Sequence, residues 1–264
     1  MRIIDLTPEH ESTYFVCLED WSEEMKEAGD HRANWYSIMK DKGLRVKLAE
    51  DDQGRICGMI QYLPAELSFV EHGEGYYIIK CIWVHNYKEG VGKQQKHGVG
   101  TQLLEAAVDD CQTMNLKGVL AWGIAMPFWM KASWFKKHDF KAIDKDRMAV
   151  LLIKLFQDEE ELPKLIRMSK KPPKGLDRVK IVIFKNGWCA ADNIVVERTL
   201  RAVKDFGDSV DVEIVDTMDR EKYLEWGIYS GVYINGKVAQ KGPPPSYDKI
   251  HKMIQKEVKH TIKE

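Results

Sequence analysis

The chain has 264 residues, and 40 Lys and Arg against 41 Asp and Glu leave a net charge of −1. That balance excludes a protein whose whole surface is a nucleic-acid or anionic-membrane footprint. With 44% hydrophobic and 31% charged residues, the chain can bury a core and is not globally disordered. The length suits about two domains of ordinary size. The longest uncharged apolar stretch, 118–130, is interrupted by Pro127 and falls short of the roughly 18 residues of a membrane span. The first ten residues read as a strand entering a helix rather than as a leader. Cys17, Cys57, Cys81, Cys111 and Cys189 form no Cys-x-x-Cys pair. Neither a disulfide framework nor a metal site is therefore expected, and a reduced, cytoplasmic setting is.

In chain order, 2–5 reads as a strand. Thr7-Pro8-Glu9 reads as a helix start, with Thr7 accepting from a free amide and Pro8 in the first turn. Helical spacing then runs to about 35–39. Strands over 44–49 and 56–63 are joined by Asp51-Asp52-Gln53-Gly54, a hairpin signal. A long strand is predicted over 76–84. A helix over 98–114 has Leu103, Leu104, Ala107, Val108 and Cys111 at core spacing. Then come a strand over 119–124, a short helix over 128–138 and a strand over 148–155. From Leu162 to Lys180 the composition turns basic around Pro172, Pro173 and Gly175, which suit neither a helix nor an inner strand. The pattern beyond is strand 179–184, helix 190–206, strand 210–215, helix 220–226, a hairpin about Asn235-Gly236 and a closing helix over 247–258. The expected class is α/β, with a mixed sheet of the α+β type. The expected division is a first domain over 1–157, a basic Pro/Gly linker over 158–177 and a second domain over 178–264.

The informative stretch follows the long strand: a polar loop carrying glycines, then a helix. Glycine lets a backbone approach a ligand closely. The free amides and dipole at a helix start favour an anion. Lys93, Lys96 and His97 add positive or polarisable groups, so a phosphate or pyrophosphate seat is expected. A Walker loop fails at Tyr87 and Gln94, and a dinucleotide fingerprint fails at Leu103. The pattern Q-x-x-G-x-G is met in full by Gln95-Lys96-His97-Gly98-Val99-Gly100.

That motif, in a strand–loop–helix setting, resembles the GNAT superfamily of acyl-CoA N-acetyltransferases. The segment MKASWFKKHDFKAI is similar to the family's second motif, with Ala132, Trp134, Phe135 and Phe140 at the matching positions. The resemblance implies acetyl-CoA as co-substrate. It implies that Ile82, Trp83 and Val84 offer backbone groups to the pantetheine arm at a splayed strand. Gln95, Lys96, His97, Gly98, Val99, Gly100 and Thr101 would hold the pyrophosphate. The implied partner is an amine-bearing small molecule or peptide, with neither nucleic acid nor membrane involved.

The family often places a Tyr general acid where this chain has Phe135, so the catalytic residues stay unassigned. Tyr76, Tyr77 and Cys81 are substitutes for the acid. Glu66, Glu71, His72 and Glu74, expected to border the acceptor mouth, and His85 are candidates for the base or for binding a cationic amine. Trp122, Phe128, Trp129, Trp134 and Phe135 are either a pocket wall or core.

The second half resembles the thioredoxin-like fold, with Cys189 near a helix start. Asp192 stands at the second cysteine position and Ser230 near where a cis-proline normally falls, so a dithiol cycle within this domain is excluded. The pairing of the two halves is similar to the YoaP-like group of acetyltransferases. Two other readings stay open: an acyl-CoA sensor without catalysis, and a thiol-redox protein using Cys189.

Overall fold

The computed structural model describes residues 1–126 and 129–261. The chain folds as two compact units. One comprises Met1–Trp21 and Ser37–Ile166; the other comprises Ser22–Tyr36 and the chain from Arg167 onward.

In chain order the first half contains β1 (Arg2–Asp5), α1 (Glu11–Phe15), α2 (Glu23–Lys26), α3 (His31–Met39), β2 (Arg45–Glu50), β3 (Ile56–Pro64), β4 (Val70–Glu71) and β5 (Tyr76–Val84). It continues with α4 (Val99–Thr113), β6 (Gly118–Ile124), α5 (Ala132–Lys136), β7 (Lys141–Asp146), β8 (Ala149–Leu155) and β9 (Lys164–Leu165). Seven strands form one mixed sheet in the order β1-β2-β3-β5-β6-β8-β7. Only β5 and β6 run parallel. Parallel neighbours need a crossover, and α4 supplies it. Its apolar stripe, Leu103, Leu104, Ala107, Val108 and Cys111, packs on Ala49, Ile60 and Tyr62 of the sheet. Burying each of the two leucines contributes about 1.5–3 kcal/mol. Gly58 is what lets the helix in: a Cβ there would lie 3.0 Å from both Leu103 Cδ1 and Val99 Cγ1.

Several local expectations change. The early helical pattern is broken into separate pieces because Cys17 and Leu18 take positive φ values of 54° and 64° and Gly29 takes 60°, which no α-helix accommodates. The Thr7 hydroxyl donates to Glu9 Oε1 at 3.1 Å and caps no amide. The helix expected from 128 starts at Ala132, because Met130 has φ 53° and Lys131 is extended; residue 128 itself lies outside the described residues. Strand β7 was not expected from its charged sequence, KAIDKD. It is an edge strand, where charge discourages pairing with another chain.

The second unit contains β10 (Val179–Lys185), α6 (Ala190–Ala202), β11 (Val210–Asp216), α7 (Arg220–Trp226), β12 (Gly231–Ile234), β13 (Lys237–Val238) and α8 (Tyr247–Thr261). The sheet order is β11-β10-β12-β13, with β10 and β11 parallel. Strand β10 is buried on both faces, so it reads as a continuous apolar run. Val179, Ile181 and Ile183 pack with Val195, Ile250 and Ile254 of α6 and α8. Val182 and Phe184 pack with Trp226 on the other face. The turn between β12 and β13 has φ 46° at Asn235 and 74° at Gly236, the left-handed pair that a two-residue hairpin requires.

Residues Ser22–Tyr36 belong to this unit through buried charge. The Arg198 guanidinium donates to Glu27 at 2.8 and 3.2 Å, to Glu24 at 3.0 Å and to the Pro245 carbonyl at 2.9 Å. Arg201 also pairs with Glu27. His31 Nε2 lies 2.6 Å from Glu197 Oε1. The basic segment between the halves is structured in several places. Leu165 pairs with Val70 in a two-residue ladder, and Ser169 N donates to the Trp226 carbonyl at 3.0 Å. The Lys170 ammonium lies 4.1 Å from the centre of the Trp226 ring.

Candidate functional site

The site begins with a defect in the sheet. Tyr76–Ile79 of β5 pair with 118–121 of β6. Beyond that point, among the described residues, no ladder joins the two strands. Strand β5 continues along β3 to Val84, and β6 along β8 to Ile124, so the two splay apart. On the other side of β5 the register slips at the same place. Gln61 faces Cys81 but Tyr62 faces Ile79, which leaves Lys80 as the extra residue of a bulge. The Lys80 carbonyl, freed by the splay, accepts from Trp122 Nε1 at 2.9 Å, which satisfies a buried backbone group. The Lys80 ammonium donates to Ser68 Oγ at 3.2 Å and lies 3.9 Å from the centre of the Phe69 ring.

The loop after β5 is pinned from beneath. His85 is fully buried. Its Nδ1 donates to the Gly92 carbonyl at 2.8 Å, and its Nε2 accepts from Trp21 Nε1 at 3.3 Å. Gln94 N donates to the His85 carbonyl at 2.9 Å, and Gln95 Nε2 to the Val84 carbonyl at 3.3 Å. With both ring nitrogens engaged inside the protein, His85 holds the loop and has no nitrogen left to act as a base.

The pinned loop delivers the chain to the start of α4. Gly98 caps the helix with φ 79°, a conformation that costs other L-residues about 1–2 kcal/mol. The first intrahelical bond is Gln102 N to the Gly98 carbonyl, at 3.1 Å. The amides of Val99, Gly100 and Thr101 precede it and so point out of the helix start, at the positive end of its dipole. The Thr101 hydroxyl lies 3.2 Å from His138 Nε2, and His138 Nδ1 donates to the Trp134 carbonyl at 2.9 Å.

Between the splayed strand, the start of α4 and α5 lies a cleft of about 690 Å³. Nine of the ten residues expected to hold a cofactor line it: Ile82, Trp83, Val84, Gln95, Lys96, Gly98, Val99, Gly100 and Thr101. His97 is exposed and does not line it. Asn86, Trp129, Met130 and Lys131 line the cleft as well. No motif spacing singled out Asn86 or Lys131; only the fold brings them there. Among the described lining residues the ionisable side chains are two lysines, Lys96 and Lys131. The cleft offers backbone donors and positive charge.

The acid–base candidates do not converge on it. Phe135 is fully buried against Trp134 and Phe140, and has no proton to give. Tyr76, Tyr77 and Cys81 do not line the cleft. Burial raises the two phenols above their ordinary range. Glu66, Glu71, His72 and Glu74 are exposed and precede Tyr76, the first residue of β5. Trp83 is seven residues further on, roughly 23 Å along an extended strand. The acids therefore flank the end of β5 away from the cleft, because the strand is long. Of the aromatic candidates, Trp129, Trp134 and Phe135 line the cleft, and Trp129 packs edge-on against Trp122, with ring centres 5.5 Å apart.

In the second unit Cys189 is the N-cap residue of α6. Asp192 Oδ2 accepts from Ser230 Oγ at 2.7 Å. A carboxylate–hydroxyl pair thus stands where a second thiol would be needed for a dithiol cycle. Among the described residues no cluster of three or more His, Cys, Asp or Glu is placed to hold a metal, and no helix is long and apolar enough to cross a membrane.

The first unit is thus a mixed α/β domain with a cleft at a splayed strand. Residues 4–129 match the model of the Acetyltransferase (GNAT) family. Among solved structures, a GNAT family acetyltransferase from Brucella melitensis in complex with acetyl-CoA is 16% identical, with 61% of this chain and 90% of that chain covered, at a TM-score of 0.43. A GNAT-family acetyltransferase from Staphylococcus aureus is 15% identical, with 59% and 99% covered, at 0.42. Part of the chain is also similar to a probable thioredoxin from Methanothermobacter marburgensis. It is 39% identical over 69 residues, which are 25% of this chain and 81% of that protein.

Proposed function

We propose that the chain is an acetyl-CoA-dependent N-acetyltransferase that moves an acetyl group to a primary amine of a small molecule or peptide, and that its second unit is thioredoxin-like. One observation carries the reading. Within a GNAT domain, the spare amides of Val99, Gly100 and Thr101 and the edge of β5 at 82–84 face one cleft. In this reading the amides and Lys96 take the diphosphate. The pantetheine arm follows the strand edge, and the thioester ends near the splay.

The chemistry is an attack of the acceptor nitrogen on the thioester carbonyl. The C–S bond breaks, the amide forms, the nitrogen gives up one proton to water, and water returns one to the departing sulfur. Because, among the described residues, the lining offers no carboxylate, His or Tyr, the amine must arrive unprotonated, and holding the reactants together supplies most of the acceleration. The rate then rises with pH as the free-amine fraction of the acceptor grows.

Titration calorimetry with CoA and acetyl-CoA, followed by thiol release from acetyl-CoA with a panel of amines, tests the reading. Heat of binding together with thiol release for at least one amine supports it. Binding without release from any amine favours an acyl-CoA sensor instead. No heat with well-folded protein ends both.

A further inference from the structure

His138 is not a cleft-lining residue, yet it is hydrogen-bonded to one that is. The Trp134 carbonyl can only accept, so the ring hydrogen of neutral His138 is on Nδ1. Nε2 is then a bare lone pair, and at 3.2 Å the Thr101 hydroxyl must donate to it. In that state Thr101 turns only lone pairs toward the cleft, which repels the oxygens of an anion. A proton at Nε2 reverses the bond: the ring donates, and the Thr101 hydroxyl is released to donate to a phosphate oxygen.

We propose that His138 is a positioning residue that takes up one proton from solvent as a diphosphate docks at the start of α4, turning the Thr101 hydroxyl from a donor to imidazole into a donor to phosphate. The inference rests on the cleft being a diphosphate seat. The coupling lies in the bond itself, because phosphate can accept from the Thr101 hydroxyl only when the imidazole donates to it. The Trp134 ring has its centre 4.4 Å from that of His138. Lys96 and Lys131 line the cleft. Lys137 and Asp139 flank His138 in the chain. From β8, Lys154 donates to the His138 carbonyl at 3.3 Å and pairs with Asp139 at 3.6 Å. On α4, Glu105 is one turn beyond Thr101.

The probe is dephospho-CoA, which keeps the diphosphate but lacks the 3′-phosphate that titrates near neutrality. Calorimetry between about pH 5.5 and 8.5, in two buffers of different ionisation heat, counts protons taken up on binding. The wild-type protein is expected to take up close to one proton, and its affinity to fall as pH rises by up to about tenfold per unit. His138→Gln, whose amide nitrogen donates at every pH, is expected to bind with a flat pH profile and no uptake. Thr101→Val is expected to bind more weakly, also without uptake. Proton uptake that persists in either variant, or none in the wild type, overturns the proposal while leaving the cleft reading intact. Failure of every protein to bind at any pH instead overturns the cleft reading. Circular dichroism checks folding, and if His138→Gln does not fold, Thr101→Val decides alone.

Discussion

Gly98 separates a backbone requirement from a ligand requirement, and two substitutions read them independently. Its φ of 79° is a left-handed cap, and the nearest atom to a Cβ built there is Gln102 Nε2 at 3.9 Å. Space is therefore open in the protein alone, and Gly98→Ala loses only the conformational cost, about 1–2 kcal/mol. In a chain of this size that is roughly 2–8 °C in the melting of the first unit. Asn tolerates the left-handed region better, so Gly98→Asn recovers part of the loss. Binding does not recover. Either side chain projects from the point where the backbone must meet the diphosphate. Losing one charge-assisted amide–phosphate bond costs about 1.5–3 kcal/mol, or roughly 10- to 150-fold in Kd. Calorimetry with CoA alongside thermal melts of both variants gives the two numbers. If Gly98→Asn restores CoA affinity together with stability, the glycine is there only for the turn, and the diphosphate does not approach Gly98.

Arg198→Met leaves Glu27 only its pairing with Arg201, and the second unit loses about 2–3 kcal/mol by chemical denaturation, at the low end for a buried pair because that pairing persists and Glu24 is more than half exposed. Bonding to Arg198 holds the Glu27 carboxyl below its ordinary range. Its contribution is thus complete above the unfolded value near 4.3, and it is lost as pH falls through the lower folded value. The wild type weakens over that acid window, whereas the variant's stability is flatter there; equal slopes would refute the pairing. Burial pushes the Cys111 thiol up to about 12, so iodoacetamide at pH 8 leaves Cys111 unlabelled in native protein and labels it in urea, as read by mass spectrometry. Equal labelling would deny that Cys111 is buried between α4 and the sheet. Alanine at both Glu66 and Glu74 leaves kcat/KM within about twofold for every accepted amine, since neither lines the cleft; a tenfold loss would place the acceptor at that end of β5.

The cleft at the start of α4 was legible because its signal is local. A strand, a glycine-bearing loop and a helix start are consecutive, and the motif from Gln95 to Gly100 falls on the turn itself. What escaped depends on distant partners or on backbone conformation that residue type does not announce. Cys17 and Leu18 take positive φ without being glycine, so the helical pattern ran on through them. Apolar spacing around 31–39 says which face is covered but not by which part of the chain, and thus hid the attachment of Ser22–Tyr36 to the later unit. Glu66 and Glu74 looked close to the site because sequence distance hides the length of an extended strand. Thr101 and His138 are 37 residues apart, and neither carries a spacing that points to the other.

The attachment of Ser22–Tyr36 also sets an order of events during synthesis. These residues leave the ribosome early, but Glu197, Arg198 and Arg201 emerge only after some 160 further residues have been joined. At about 5–20 residues per second, Glu24 and Glu27 wait roughly 10–30 s for their arginines. In that interval a charged, unclaimed stretch interrupts the nascent first unit on either side of it, exposed to any chaperone or protease that reaches it before its partner is made.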